Sequence, residues 1–239
     1  MPRIYRKGAC PPKIQFTLAM KFFRLFRLAA FFACFLCTEW YTYYRRQLEA
    51  DLDNRQKILA KAEELFAAQG YNAVGVQELA QAADVTKPTL YHYYGSKLGL
   101  LQAVLEDGFL PLLQQTREAA QYQGDLPLTL YRLANAYFAF SKARPGFYRL
   151  QLSLWFSPPE SEDFDAVRPW GHRQQEMLEA LFQAAVRDHG NMKGRHRRYA
   201  ATFLGMLNTL ISLGLNNLLE LNDELVFNAV HQFMHGIYS

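Results

Sequence analysis

Apolar residues recur at helical spacing through the segment 55–69, the first clear element of the chain. The spacing i, i+4, i+7, i+8 puts them on one face of an amphipathic helix. These positions are Ile58, Ala62, Leu65 and Phe66. Asp53 is positioned to cap the N-terminus of this helix, and Gly70 is positioned to end it.

A second, shorter helix is predicted over residues 76–83, with Gly75 as its N-cap. Asp84 suits the turn that follows, because Asp tolerates left-handed backbone better than most residues. A third helix is predicted to open at Thr86, whose side chain can cap it. Pro88 falls in its first turn, where the missing N–H costs nothing.

The third helix is predicted to end at Gly95, and Ser96 is positioned to cap a fourth. The fourth helix has core positions at Leu98, Leu101, Val104 and Leu105. In the third helix Leu90 faces the core, which leaves polar and aromatic side chains outside. Two short helices joined by a tight turn form a helix-turn-helix, whose second helix fits the DNA major groove.

Residues 109–239 divide into further helices with no segment of strand periodicity, so the predicted fold class is all-α. The predicted breaks are Pro111, Gly124-Asp125, residues 144–146, residues 157–163, Gly190 and Asn222. The segment 157–165, with two prolines and four acidic residues, is predicted to be a mobile surface loop.

The chain has 239 residues, 50% of them hydrophobic, which is enough for a substantial core. Three cysteines exclude a small protein held together by disulfides. Residues 1–50 carry nine Lys/Arg and two acidic residues, whereas the rest carries 17 basic and 20 acidic residues. The net charge of +4 is therefore not a nucleic-acid footprint of the folded part.

Residues 1–50 form an atypical leader with a basic start and an uninterrupted apolar run over 28–37. This run is shorter than the ~20 residues of a membrane span. It suits a signal-peptide core or an interfacial membrane helix; alternatively, the biological start lies downstream and the segment is not normally made. Cys34 and Cys37 have CxxC spacing, but without a second pair no metal or redox role is predicted.

Large aromatic residues are concentrated between residues 126 and 189. Each can be ordinary core, but together they suit a pocket for a flat or greasy molecule. The residues predicted to contact such a ligand are Tyr137, Phe147, Arg149, Gln151, Trp155, Trp170 and His172.

The last two predicted helices, 197–221 and 224–237, carry apolar stripes suited to a dimer interface. Gly205 and Gly214 inside the first of them indicate close helix approach. His231 and His235 share one helix face at a spacing that zinc can use, but surface or interface histidines are the favoured interpretation. No nucleophile–base motif, phosphate-binding loop or dinucleotide motif is present, so no enzyme activity, metal or cofactor is predicted.

The stretch 69–97, centred on Val-Thr-Lys-Pro-Thr-Leu-Tyr-His-Tyr-Tyr, resembles the DNA-binding domain of the TetR family of bacterial transcriptional regulators. Val74 and Gly75 stand where the family usually has Thr and Ser, and Asp84 replaces a common Gly. The resemblance implies phosphate contacts from Gln77, Thr86, Tyr93 and Lys97. It implies base contacts from Lys87, Pro88, Thr89, Tyr91 and His92. Tyr94 is instead predicted to pack in the core.

The resemblance implies a three-helix DNA-binding domain over 51–108 and a helical ligand-binding and dimerisation domain over 109–239. The favoured hypothesis is a cytoplasmic repressor that binds a palindromic DNA operator as a homodimer through residues 197–237. A small-molecule effector would release it through the predicted helix 96–120. The alternative is a membrane-associated helical interaction protein that uses the N-terminal apolar segment as an interfacial anchor.

Overall fold

A glycine ends the first helix, as the sequence predicts, but the predicted N-cap is not formed. The computed structural model describes residues 44–45 and 52–236. Helix α1 is helical from 52 to 69 and ends at Gly70, which has φ +86° and donates its N–H to the carbonyl of Phe66. The predicted N-cap Asp53 is wrong: it lies inside α1, where its carboxylate pairs with Lys57 at 2.6 Å.

Helices α2 (Val76–Ala82) and α3 (Lys87–Tyr94) are joined by a tight turn. Asp84 in this turn has φ +54°, the left-handed conformation predicted for it. Thr86 caps α3, its Oγ1 accepting the N–H of Thr89 at 3.3 Å. The helix-turn-helix is therefore confirmed.

Helix α4 (Lys97–Ala119) begins at the Ser96 cap and continues through Pro111, so the predicted break there is wrong. A proline inside a helix cannot donate to the carbonyl four residues earlier, here that of Asp107. Arg144 supplies the missing donor, since its Nη1 lies 3.0 Å from the Asp107 carbonyl oxygen. A side chain from a later part of the chain thus compensates for the proline.

The remaining elements are α5 (Leu126–Ala143), α6 (Pro145–Trp155), α7 (Glu162–Ala185), a 3-10 turn (Gly190–Met192), α8 (His196–Leu215) and α9 (Asp223–His235). No strand occurs in the described residues, in agreement with the all-α prediction. The loop predicted over 157–165 is too long, because Ser161 caps α7 and Asp163 is buried. The helix predicted over 197–221 ends at Leu215 and is followed by a turn with Asn217 at φ +58°.

Residues 53–236 belong to one compact unit, and one buried cluster continues from the helix-turn-helix into the C-terminal helices. Helix α4 contributes to both parts. At its middle, Gly108 is buried against the ring of Phe147 on α6: a Cβ on this glycine would lie 2.1 Å from that ring. The absence of a side chain at Gly108 is what lets α6 pack against α4.

Replacing Gly108 with alanine is expected to destabilise the fold by about 1–3 kcal/mol, because the added methyl group overpacks the core. Thermal or denaturant unfolding of the full chain measures this loss. Gly205→Ala is the matched control, since a Cβ there would meet no heavy atom within 4 Å. The control should be neutral or slightly stabilising, and equal unfolding midpoints for the two variants would contradict the packing argument.

The two helix glycines of α8 differ in their surroundings. A Cβ on Gly214 would lie 2.5 Å from the side chain of Leu221, so the chain returns closely over this position. Gly205 has no such neighbour within the chain. Because Leu221 belongs to the loop between α8 and α9, close approach of another helix stays a prediction at both glycines.

Along the described part of the chain, no helix is long and apolar enough to cross a bilayer. The apolar run over 28–37, on which the membrane-anchor alternative depends, lies outside the described residues. Cys34 and Cys37 lie outside them as well.

Candidate functional site

Helix α3 presents an exposed face built from the residues predicted to read bases. Leu90 is fully buried and fixes the rotation of the helix against the core. This rotation leaves Lys87, Pro88 and His92 exposed and Tyr91 46% exposed. The exposed groups include an ammonium, an imidazole and a phenol, which can contact base edges and phosphates in a major groove.

The other residues implied by the resemblance lie at the edges of this face. Gln77 is exposed on α2. Thr89 is half-buried, with its Oγ1 2.8 Å from that of Thr86. Tyr93 is half-buried against the core and in edge contact with His92, their ring centroids 5.4 Å apart. Tyr94 packs against the core, as predicted, and donates its hydroxyl to a backbone carbonyl of α1.

Lys97, in the first turn of α4, is not extended into solvent. Its Nζ lies 4.2 Å from the ring centroid of Tyr71, a cation–π contact. Burial lowers the pKa of Lys97, while the nearby carboxylates of Glu162 and Asp163 act in the opposite direction. The sequence did not indicate this contact, because Tyr71 and Lys97 meet only through the tertiary fold.

The start of α7 meets the helix-turn-helix at the same place, and we call this meeting point the interdomain contact. The Tyr71 hydroxyl donates to Glu162 Oε1 at 2.7 Å, and Asn72 Nδ2 donates to Asp163 Oδ2 at 3.3 Å. Lys97 completes it. Burial and the hydrogen bond to Glu162 raise the pKa of Tyr71, so the phenol remains a donor.

Asp163 is only 2% exposed, yet its pKa lies below its ordinary value. Burial by itself would raise its pKa, but hydrogen bonding to the carboxylate, including the bond from Ser157, holds the pKa below its ordinary value. The Ser157 hydroxyl donates at 2.8 Å from the loop that follows α6. The end of α6, the start of α7 and the helix-turn-helix therefore share one hydrogen-bonded group.

A second group of contacts ties α1 to the later helices through Arg144, at the junction of α5 and α6. Its guanidinium pairs with Glu63 of α1 and with the carboxylate of Asp107 on α4, the latter at 2.9 Å. The side chain is mostly buried, so these pairs are less screened than surface ion pairs. Together with the interdomain contact, Arg144 sets the position of the helix-turn-helix on the C-terminal helices.

A cavity of about 760 Å³ opens between α6, α7 and α8, with Phe109 of α4 in its wall. Three of the residues predicted to contact a ligand line it: Gln151, Trp155 and His172. Its volume lies within the usual range of roughly 300–1,000 Å³ for small-molecule sites. The cavity is thus large enough for a molecule of cofactor or drug size.

The other four predicted ligand residues lie behind the wall or away from it. Trp170 stacks on Phe109, with ring centroids 5.2 Å apart, and Phe147 meets the same ring edge-on. The hydroxyl of Tyr137 donates to Gln174, which does line the cavity. Arg149 is outside the cavity and donates to the backbone carbonyl of Leu215, at the end of α8, and to the side-chain oxygen of Asn216.

The sequence does not indicate the cavity wall contributed by α8, whose apolar stripe predicts a dimer interface. Asn208, Thr209 and Ser212 line the cavity there. Helical periodicity does not identify these three polar residues, because it marks only the apolar core face of α8, which carries Phe203 and Leu207. The polar residues fall on the neighbouring face, which the helical spacing alone does not assign to a pocket.

Two buried tyrosines orient the polar lining. Tyr148 donates to Asn208 Oδ1 at 2.7 Å, and Tyr137 donates to Gln174 Oε1 at 3.1 Å. Burial raises the pKa of both tyrosines, so both stay neutral donors. With each amide oxygen engaged, the amide N–H groups of Asn208 and Gln174 are left to bond a ligand.

The histidine pair predicted on the last helix is formed. His231 and His235 are exposed on α9, with ring centroids 4.6 Å apart. No group of three His, Cys, Asp or Glu side chains suited to a metal ion occurs within the described residues.

Comparison with known proteins identifies the family of this chain. Residues 58–104 match the sequence model of bacterial regulatory proteins, tetR family. The HTH-type transcriptional activator FasR of Mycolicibacterium smegmatis is 36% identical over 185 residues, which cover 77% of this chain and 82% of FasR.

Two solved structures share the fold at low identity. FadR from Bacillus subtilis, in complex with stearoyl-CoA, is 17% identical with a TM-score of 0.65, over 77% of this chain and 99% of FadR. AibR, in complex with isovaleryl coenzyme A and operator DNA, is 21% identical with a TM-score of 0.60, over 75% of this chain and 96% of AibR. The long match to FasR and the family match over the helix-turn-helix agree, and this chain belongs to the tetR family of bacterial regulatory proteins as a helix-turn-helix transcriptional regulator.

Proposed function

We propose that this regulator is a ligand-responsive repressor in the cytoplasm. It binds a palindromic operator as a homodimer and releases the DNA when a small molecule occupies the cavity. One observation carries the proposal: the helices that line the cavity, α6 and α7, also hold the helix-turn-helix at the interdomain contact. AibR, which shares the fold, was solved with both an acyl thioester and operator DNA, which supports the same pairing here.

The path from the cavity to α3, the helix proposed to read the DNA bases, is short. Trp155 lines the cavity at the end of α6 and packs against Gly171 of α7, where a Cβ would lie 2.2 Å from the indole ring. Two residues later, Ser157 donates to Asp163, which in turn accepts from Asn72 of the helix-turn-helix. A ligand that displaces the indole would shift this chain of contacts. It would thereby favour a different position of the reading helix.

The proposed domain boundaries follow from the same contacts. We place the DNA-binding domain at 51–108 and the ligand-binding and dimerisation domain at 109–239, with α4 crossing between them. Within residues 197–237, the interface would use the exposed apolar side chains Leu213, Leu218 and Phe227 and leave the N-terminal end of α8 accessible. A two-fold dimer through this surface would place two reading helices about 34–36 Å apart, which requires a palindromic operator.

The proposed effector is an acyl thioester of coenzyme A. Large apolar side chains form much of the cavity wall, at Phe109, Leu152, Trp155, Phe156 and Leu204. Such a wall suits an acyl chain, and the free amide N–H groups suit the thioester and amide carbonyls of the pantetheine arm. FadR from Bacillus subtilis, which shares the fold, was solved with stearoyl-CoA.

An electrophoretic mobility shift of the full chain against the DNA flanking its own gene tests this function. We expect a discrete shift that resists nonspecific competitor, contains two chains per duplex, and is lost on addition of palmitoyl-CoA. In cells, deletion of the gene should raise transcription from that operator. If the protein were an activator, the same deletion would lower transcription. Binding that is independent of DNA sequence in this assay and in selection from random DNA would refute the proposal.

A further inference from the structure

The N-terminal end of α8 carries a concentration of positive charge. Residues 193–198 read Lys-Gly-Arg-His-Arg-Arg, and their four Lys and Arg side chains are exposed. Residues 51–239 as a whole carry 17 basic and 20 acidic residues, so this basic segment stands out from an acidic background. Such a cluster attracts anions locally although the domain does not.

The basic segment continues the cavity wall. Ala201 and Gly205 line the cavity at its end on this side, and Arg197 lies four residues before Ala201 on the same helix face. Arg198 lies beside it, three residues before Ala201. From α7, Gln175 also lines the cavity, and its Nε2 donates to the carbonyl oxygen of Arg197 at 3.3 Å. The two arginines therefore border this end of the cavity.

Neither arginine is neutralised strongly within the chain. Arg197 is 83% exposed and lies 3.4 Å from Glu179, an exposed pair of the kind that contributes little. Arg198 has no ion-pair partner within the described residues. Trp155 and Phe156 add aromatic surface to the cavity wall. The cavity therefore combines a largely apolar wall with a cationic border at the N-terminal end of α8.

We propose that Arg197 and Arg198 form the phosphate subsite of the effector, which rests on the acyl-CoA proposal above and deepens it. The phosphates of the coenzyme A headgroup bind at the N-terminal end of α8, because guanidinium groups match phosphate oxygens with paired hydrogen bonds. The acyl chain then lies along the cavity wall that α8 forms. The wall from Ala201 to Leu213 is about 18 Å long at 1.5 Å per residue, which gives an acyl chain room to extend.

The test compares palmitoyl-CoA, palmitate and free coenzyme A as probes of the full chain by isothermal titration calorimetry. In the double variant Arg197→Gln/Arg198→Gln, we expect palmitoyl-CoA to bind about 10- to 100-fold more weakly, from the loss of charge-assisted hydrogen bonds. Palmitate should bind the variant within about twofold of wild type, because it lacks the phosphates. The wild-type affinity for palmitoyl-CoA should also fall as salt is raised, and more steeply than that of the variant.

The matched control is Arg117→Gln/Lys142→Gln, which removes two exposed positive charges away from the cavity. It should bind palmitoyl-CoA like wild type, and equal thermal unfolding of both double variants shows that neither has lost its fold.

Unchanged palmitoyl-CoA binding by the Arg197/Arg198 variant overturns the subsite but leaves the acyl-CoA effector standing. An equal loss for palmitate overturns it too, since the effect would then not depend on phosphate. If wild type binds neither palmitoyl-CoA nor palmitate, both the subsite and the acyl-CoA effector fail, and operator binding by the same preparation still reports the DNA-binding function.

Discussion

Alanine at both Lys87 and Thr89 is expected to abolish sequence preference while leaving nonspecific DNA binding nearly intact. Lys87 is exposed at the start of α3, and Thr89 lies two residues further along. A good base contact contributes about 1–3 kcal/mol of discrimination, so losing two should lower specific affinity by roughly 30- to 20,000-fold. Titration of specific and scrambled duplexes with the same variant measures this ratio directly.

Gln77→Ala is the contrasting variant, because Gln77 is exposed on α2 and is implied to contact a phosphate. It should weaken specific and scrambled duplexes about equally. Residues 51–97 carry five basic and six acidic residues, so few phosphate contacts and a shallow salt dependence are expected throughout. If the Lys87/Thr89 variant retains sequence preference, the base-reading face assigned to α3 is wrong.

Tyr71→Phe is expected to uncouple DNA binding from the effector. The substitution removes only the hydroxyl that donates to Glu162 at 2.7 Å, and it keeps the ring under the Lys97 ammonium. Allosteric couplings usually change affinity by about 5- to 150-fold. In this variant the change in operator affinity caused by palmitoyl-CoA should fall towards unity. Operator affinity without ligand should remain close to wild type, since the reading face is untouched.

Tyr122→Phe is the matched control for this experiment. Its hydroxyl also donates to a carboxylate at 2.7 Å, that of Asp188, but at a site without contact to the helix-turn-helix. Both variants should lose about 1 kcal/mol of stability, the usual contribution of one hydrogen bond. Intact coupling in Tyr71→Phe, or equal loss in both variants, would show that the interdomain contact does not transmit the effect of the ligand.

Local chemistry was sufficient to predict the helix-turn-helix. Gly70 and Gly95 have positive φ at the ends of α1 and α3, and Asp84 has it in the turn between α2 and α3. Thr86 and Ser96 cap the helices they precede. Each of these residues acts on its own backbone within three or four positions, and such effects can be read along the sequence.

The errors arose where distant residues altered a local preference. Pro111 does not break α4, because Arg144 bonds the carbonyl that the proline leaves free. The polar, proline-containing segment 157–165 is partly helical, because Ser161 caps α7 and the fold buries Asp163 against Asn72. Arg144 lies 37 positions from Asp107, and Asn72 lies 91 positions from Asp163.

The α3 face and the cavity also differ in how far the sequence predicts them. The exposed face of α3 was predictable, because one buried residue, Leu90, sets the rotation of a short helix. The cavity was only partly predictable: Gln151, Trp155 and His172 line it, but the polar wall on α8 was assigned to the dimer interface. A polar helix face looks the same in sequence whether it lines a pocket or faces solvent.

The sequence by itself determined the all-α fold, the turns of the DNA-binding unit and the membership of the family, because these depend on periodicity, capping and backbone conformation. Only the tertiary structure decided that Lys97 rests on Tyr71, that Glu162 and Asp163 meet the helix-turn-helix, and that α6, α7 and α8 enclose a cavity. These arrangements join residues up to 91 positions apart. Their energies depend on burial and distance in three dimensions, which no local pattern of residues records.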